Sequence, residues 1–273
     1  MSWGSDTRAA DAARGAERPS ANPGEVVIEV EGLAAGYAGK PILEGVSFDV
    51  RRGEKLVVIG ESGCGKSTLF KHMVGLLEPL AGSVRVGGRD IARAHGRERR
   101  EILRGIGVAY QSGALFGSLT LLENIALPLE ELTRLPARAR EAVARLKLGQ
   151  VGLEDAAERY PAQLSGGMRK RAAIARAMAL DPAILFLDEP TAGLDPVTAA
   201  GIDQLVLRLG RSLGVTFVIV THELASIFAI ADRAVMLDAT LRGILAIGAP
   251  AELARHPEER VRRFFKREVA EGA

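Results

Sequence analysis

Residues Gly60-Glu61-Ser62-Gly63-Cys64-Gly65-Lys66-Ser67, followed by Thr68, fit the spacing G-x-x-x-x-G-K-[ST]. An apolar run precedes them and a helical pattern follows. Gly60, Gly63 and Gly65, with Ser62 and Cys64 between them, let the backbone close around phosphates with its amide hydrogens turned inward. The start of the following helix adds partial positive charge. Lys66 is expected to reach the β- and γ-phosphates and the Ser67 hydroxyl to ligate Mg2+, so the ligands implied are ATP and Mg2+. A second constellation follows the apolar run 183–187, where Asp188-Glu189-Pro190 puts two acids at the carboxyl edge of a buried strand. That edge is where α/β sheets bind ligands. Asp188 is expected to hold the metal shell, and Glu189 to polarise the attacking water as a general base or water-positioner. A third, Leu164-Ser165-Gly166-Gly167-Met168, opens a helical stretch. A serine and two glycines there make another anion cradle, although one phosphate loop already serves one triphosphate.

The elements that must position these residues read as follows. Val26-Val27-Ile28-Glu29-Val30 and Val46-Ser47-Phe48-Asp49-Val50 are short strand patterns. Lys55-Leu56-Val57-Val58-Ile59 suits a strand buried on both faces, with a helix from Lys66 to about Leu76. Helical stretches cover 121–131, 137–146 and 165–180, and the block 112–175 reads as a helical insertion. A helix spans 196–213, 215–220 is another buried strand, and 234–237 with 244–247 form a closing hairpin. Apolar strands alternating with helices argue an α/β sheet core.

Composition narrows the class. The chain has 273 residues, of which 47% are hydrophobic, enough for a substantial core. The single cysteine, Cys64, excludes an internal disulfide and fits a reducing compartment. A net charge of +2 gives no reason to expect nucleic acid as a partner. Nothing approaches the run of about 20 apolar residues that a spanning helix needs, and the first residues lack a secretory h-region. The expectation is a cytoplasmic protein whose membrane role comes through a partner.

The LSGGM segment lies just upstream of the Asp-Glu strand, and the motifs from 26 to 250 occur in one order; on those residues the chain resembles the ABC ATPases. The resemblance implies an α/β P-loop ATPase with a RecA-like sheet core, an antiparallel β subdomain and a helical insertion. Residues 1–24, polar, small, Pro-containing and without periodicity, read as a disordered tail; the ATPase domain then spans 25–250 (its helical subdomain about 112–175), followed by a C-terminal helical tail (251–273). The resemblance implies further roles: Tyr37 stacks on adenine, Gln111 senses Mg2+ and water, Asp195 touches the opposite protomer, and His222 contacts the γ-phosphate. Two such domains would face head to tail, sandwiching ATP between the phosphate loop of one and Ser165, Gly166 and Gly167 of the other. Tyr110-Gln111-Ser112-Gly113-Ala114-Leu115-Phe116, the block 122–129 and the tail 256–265 resemble the ATPase of MCE-linked, Mla-type lipid transporters. That narrower likeness implies phospholipid transport between inner and outer membranes, on the cytoplasmic face of the inner one. Its partners would be a second copy, a separate transmembrane permease, a small regulatory subunit and a periplasmic MCE-domain protein. The alternatives are the ATPase of another importer (amino acid or other small solute) and a soluble cluster-assembly ATPase.

Two surface features complete the reading. Val261, Phe264 and Phe265 share one helix face, opposite Arg260, Arg262, Arg263 and Lys266. That face packs on its own domain, or reaches the other protomer or a regulatory subunit. The arginine-rich stretch 89–104 is a solvated helix face, or meets lipid headgroups or an acidic loop of a partner.

Overall fold

The structure, a computed structural model, describes residues 24–266. The expected N-terminal tail, apart from Gly24, and positions 267–273 of the expected C-terminal tail lie outside the described residues. In chain order, β1 (Val26–Tyr37) and β2 (Lys40–Arg51) form a long hairpin, and β3 (Lys55–Gly60) runs into the glycine loop and α1 (Lys66–Met73). Then come β4 (Ala81–Val86), β5 (Arg89–Asp90), α2 (Gly96–Arg104) and β6 (Ile106–Ala109). Helices α3 (Leu121–Leu132), α4 (Ala137–Gln150) and α5 (Gly166–Ala177) stand between β6 and β7 (Ile184–Asp188). The chain continues through α6 (Pro196–Leu213), β8 (Thr216–Val220), α7 (Leu224–Ile230), β9 (Arg233–Asp238), β10 (Gly243–Gly248), α8 (Pro250–Leu253) and α9 (Glu259–Lys266).

Two sheets result. One is antiparallel, in the order β2-β1-β4-β5. The other has the order β10-β9-β3-β8-β7-β6, parallel except for the edge strand β10. Alternation along the parallel strands divides the core between the two faces of this sheet. Val57 and Ile59 of β3, with Leu185 and Leu187 of β7, face the helices of the insertion. Leu56, Val58, Ile184 and Phe186 face α1 and the antiparallel sheet. Burial on both faces explains the continuous apolar runs in the sequence.

The sequence reading ends the first strand at Val30, but β1 continues to Tyr37. Its pairing with β2 shifts register between Val30 and Leu33 and again before Ala35, which breaks the alternation a strand is read by. Phe70 of α1 packs edge-on to Phe186 of β7 (ring centroids 5.9 Å apart) and to Tyr110 (6.1 Å). One aromatic therefore fixes the helix after the glycine loop against both the acid-bearing strand and the residue before Gln111.

The arginine-rich stretch is largely paired within the chain. Arg89 and Arg97 both reach Glu101, at 3.2 and 2.9 Å. Arg99 donates to the carbonyls of Gly75 (2.6 Å) and Ile91 (2.8 Å). This favours the solvated-face reading. Among the described residues, no helix is long and apolar enough to cross a membrane.

Candidate active site

Gly60 ends β3, Asp188 ends β7 and His222 follows β8, so adjacent parallel strands deliver all three to one carboxyl edge. There they open on a cleft of about 620 Å³. Its lining brings together Gly60, Ser62, Gly63, Gly65, Lys66, Ser67 and Thr68 with Gln111, Asp188, Glu189 and His222.

The loop is built by its glycines. Gly60 has φ +144°, and a Cβ there would come within 2.5 Å of the Leu237 carbonyl oxygen. Gly65 has φ +105°, and its Cβ would press into Leu43. No other residue type fits either position without moving backbone or core. The Lys66 ammonium donates to the carbonyls of Gly60 and Glu61, both at 2.8 Å, so it is curled over its own loop.

The two acids differ. Asp188 is pushed above the usual aspartate range by burial first and by the neighbouring Glu189 second, with Lys170, Lys71 and Lys66 opposing. Glu189 is 8% exposed. Its Oε1 lies 2.8 Å from His222 Nδ1, while Oε2 is buried without a hydrogen-bond partner. Its backbone sits at φ +47°, a left-handed conformation uncommon for a non-glycine residue. An orphaned carboxylate oxygen beside the half-buried Asp188, with the Ser67 hydroxyl and Gln111 lining the same cleft, fits a divalent cation.

Other expected site residues lie elsewhere. Cys64 is buried beneath the loop, with Sγ 4.0 Å from Lys66 Nζ, and does not line the cleft. Burial raises its thiol pKa. Tyr37 is 40% exposed at the end of β1; its hydroxyl accepts from Lys71 Nζ at 3.2 Å, which places it beside α1 and outside the cleft wall. Ser165, Gly166, Gly167 and Asp195 are also absent from the cleft. Ser165 caps α5, its hydroxyl accepting from the Met168 amide at 3.3 Å. A Cβ on Gly167 would collide with Cγ2 of Thr198, and one on Gly166 would stand 3.1 Å from Leu194, so these glycines also let α5 pack against α6 and the preceding loop. Asp195 caps α6, accepting from the amides of Val197 (3.1 Å) and Thr198 (3.0 Å).

The structure adds residues that the site reading missed. Phe264 of α9 lines the cleft. Val261 is fully buried, and Phe265 packs edge-on to Phe228 of α7 at 5.6 Å. In this chain the tail helix docks on its own domain. Past Gln111, the buried Asn124 accepts from the Phe116 amide (2.8 Å) and donates to the carbonyls of Phe116, Leu119 and Thr120, tying the segment before α3 into one unit.

The family model described as ABC transporter matches residues 43–192, more than half of the chain. The chain belongs to the ABC transporter family. As an ABC ATPase it binds and hydrolyses ATP. It is 40% identical over 243 residues to the probable ribonucleotide transport ATP-binding protein mkl of Mycobacterium leprae, an alignment covering 89% of this chain and 69% of that protein. It is 37% identical over 242 residues to the intermembrane phospholipid transport system ATP-binding protein MlaF of Haemophilus influenzae, covering 89% and 91%. Among solved structures, the ABC cassette MJ0796, a dimer in a post-hydrolysis state bound to ADP and Pi, superposes with TM-score 0.74 at 31% identity, covering 81% of this chain and 98% of that one. The fold expected from the sequence, an α/β ABC cassette with parallel and antiparallel sheets and inserted helices, is the one observed.

Proposed function

We propose that this chain works as one of two copies paired head to tail, each supplying half of two ATP sites, and that the pair drives a separate membrane permease. The observation that carries this reading is the division of the site. The phosphate loop, Gln111, Asp188, Glu189 and His222 share one cleft, whereas Ser165, Gly166, Gly167 and Asp195 do not line it. A second copy could bring that outlying set to the open cleft. The dimeric MJ0796 cassette supports such pairing.

Within the cleft, the loop amides and Lys66 bind the phosphates. Glu189, held by His222, accepts a proton from the attacking water or orients it. His222 then holds Glu189 in place and meets the γ-phosphate, and Gln111 links the cleft to the inserted helices. Ser67, Asp188 and Gln111 would hold Mg2+, which supplies charge neutralisation on the phosphate oxygens. Tyr37 would stack on adenine from its place beside α1. Loss of the γ-phosphate removes the charge that holds the halves together, and the pair opens. As domain limits we propose 25–250 for the ATPase unit, with the helical subdomain about 112–175 and 251–273 as an appended tail.

For cargo we propose phospholipid moved between two membranes, with the pair bound to the cytoplasmic face of the inner one beside a periplasmic MCE-domain protein and a small regulatory subunit. Similarity to MlaF across nearly the whole of that protein supports this. The test is reconstitution with the transmembrane subunit that co-purifies with it, in vesicles carrying fluorescent phospholipid. ATP-dependent lipid transfer that stops in Glu189→Gln is expected. ATP-dependent uptake of a small solute with no lipid movement would contradict the cargo while leaving the ATPase reading intact.

A further inference from the structure

Arg169, Lys170 and Arg171 follow the Ser165-Gly166-Gly167 cradle on α5, and sequence alone gives no reason to separate them. Their contacts do. Arg169 donates to the Leu164 carbonyl (2.7 Å) and Arg171 to that of Val151 (3.3 Å), both within the helical insertion. Lys170 instead leaves the insertion. Its ammonium donates to the backbone carbonyl of Gln111 at 2.7 Å and to that of Glu189 at 2.6 Å. Both contacts are charge-assisted and short. The ammonium is half-buried, and burial lowers its pKa against the opposing pull of Glu189 and Asp188.

What Lys170 grips is unusual. The Glu189 peptide is in the left-handed region and is fixed from three sides. Its N–H donates to the Val220 carbonyl at 2.8 Å, its carboxylate meets His222, and its carbonyl receives Lys170. A strained backbone persists only where its surroundings over-determine it. Without the ammonium, that peptide could relax and the carboxylate would swing away from the water it serves.

We propose that Lys170 is a positioning residue that couples the two ATP sites of the pair, an inference that rests on the paired reading above. The helix it stands on begins at the cradle offered to the partner's nucleotide, and the carbonyls it holds belong to residues of its own cleft. When the partner's ATP engages Ser165, α5 moves or stiffens, and Lys170 carries that change to Gln111 and Glu189. Each site would thereby sense occupancy of the other through one rigid rod tipped by one ammonium.

The test uses the full-length chain with its membrane subunit. Lys170→Met keeps the stem and removes the donors; Lys170→Gln keeps a shorter, neutral donor without the ammonium charge. ATP affinity, kcat and the Hill coefficient of hydrolysis are measured for each. For Lys170→Met the expected result is a kcat loss of about tenfold to a hundredfold, half-saturating ATP within about twofold of the parent, and a Hill coefficient falling toward one. Should that variant melt well below the parent, Lys170→Gln decides, with a smaller kcat loss and the same loss of cooperativity expected. Parental kcat together with a parental Hill coefficient overturns the proposal. A Glu189→Gln protein with Lys170 intact that fails to pair on ATP would instead count against the paired reading itself.

Discussion

Glu189→Gln separates binding from chemistry. Glutamine preserves the volume of a side chain that is only 8% exposed, and its amide can still meet His222 Nδ1, 2.8 Å from the present Oε1. What disappears is the negative charge and the capacity to take a proton. A positioned general base contributes about 10²- to 10⁴-fold, so the barrier should rise by about 2.7–5.5 kcal/mol. The lower end applies if Glu189 mainly orients the water, because the amide oxygen can still do part of that. Binding should survive, because the loop glycines, Lys66 and Ser67 are untouched. Asp188 also loses the neighbour that helps hold its proton on, so its carboxylate forms more readily. Phosphate release under single-turnover conditions measures the chemical step, and a fluorescent ATP analogue measures affinity. Affinity within about threefold of the parent with a rate at least about a hundredfold lower is expected. A variant hydrolysing at the parental rate would mean that another group activates the water.

Asp188→Asn should raise the melting temperature of the nucleotide-free protein at neutral pH. A carboxyl whose folded pKa is raised favours the fold at low pH and loses that contribution as pH climbs from its unfolded to its folded value, so wild type and variant should converge in acid. Calorimetry from pH 4 upward checks this; a gap that stays constant with pH would refute it. Gly167→Ala should destabilise by about 1–3 kcal/mol through overpacking, and Thr198→Ser, which deletes the obstructing Cγ2, should restore most of the loss in the double variant. Urea melts of the three proteins read the coupling. Asp195→Ala removes the cap of α6 and should cost about 0.5–2 kcal/mol in urea; ATP-driven pairing of that variant separates capping from contact with a partner.

The residues whose chemistry depends on local spacing were legible in the sequence. The glycine loop and the Asp-Glu pair each sit at the end of a strand buried on both faces, and such strands announce themselves as unbroken apolar runs. LSGGM was legible as a helix start, but the second reason for its glycines was not, because Thr198 is distant in sequence and near only through the packing of α5 on α6. Placement across the fold was harder. Cys64 has the spacing of a cleft residue, yet its side chain turns under the loop, where its sulfur sits in space that a Cβ on Gly60 would invade. In sequence Lys170 is one of three consecutive bases, Arg169, Lys170 and Arg171; only the approach of the loops at Gln111 and Glu189 distinguishes it. The tail reads as an amphipathic helix whose docking surface the sequence leaves open, and the aromatic contact with Phe228 supplies that surface in this chain.

In the paired reading, a nucleotide completes its site only between two copies. Light scattering of Glu189→Gln with and without ATP and Mg2+, alone and bound to its membrane subunit, tests it most directly. The mass attributable to this chain should double on adding ATP, and Ser165→Arg should prevent the doubling while leaving ATP bound to single copies. A protein that stays single with ATP bound, both free and on its membrane partner, would contradict the account.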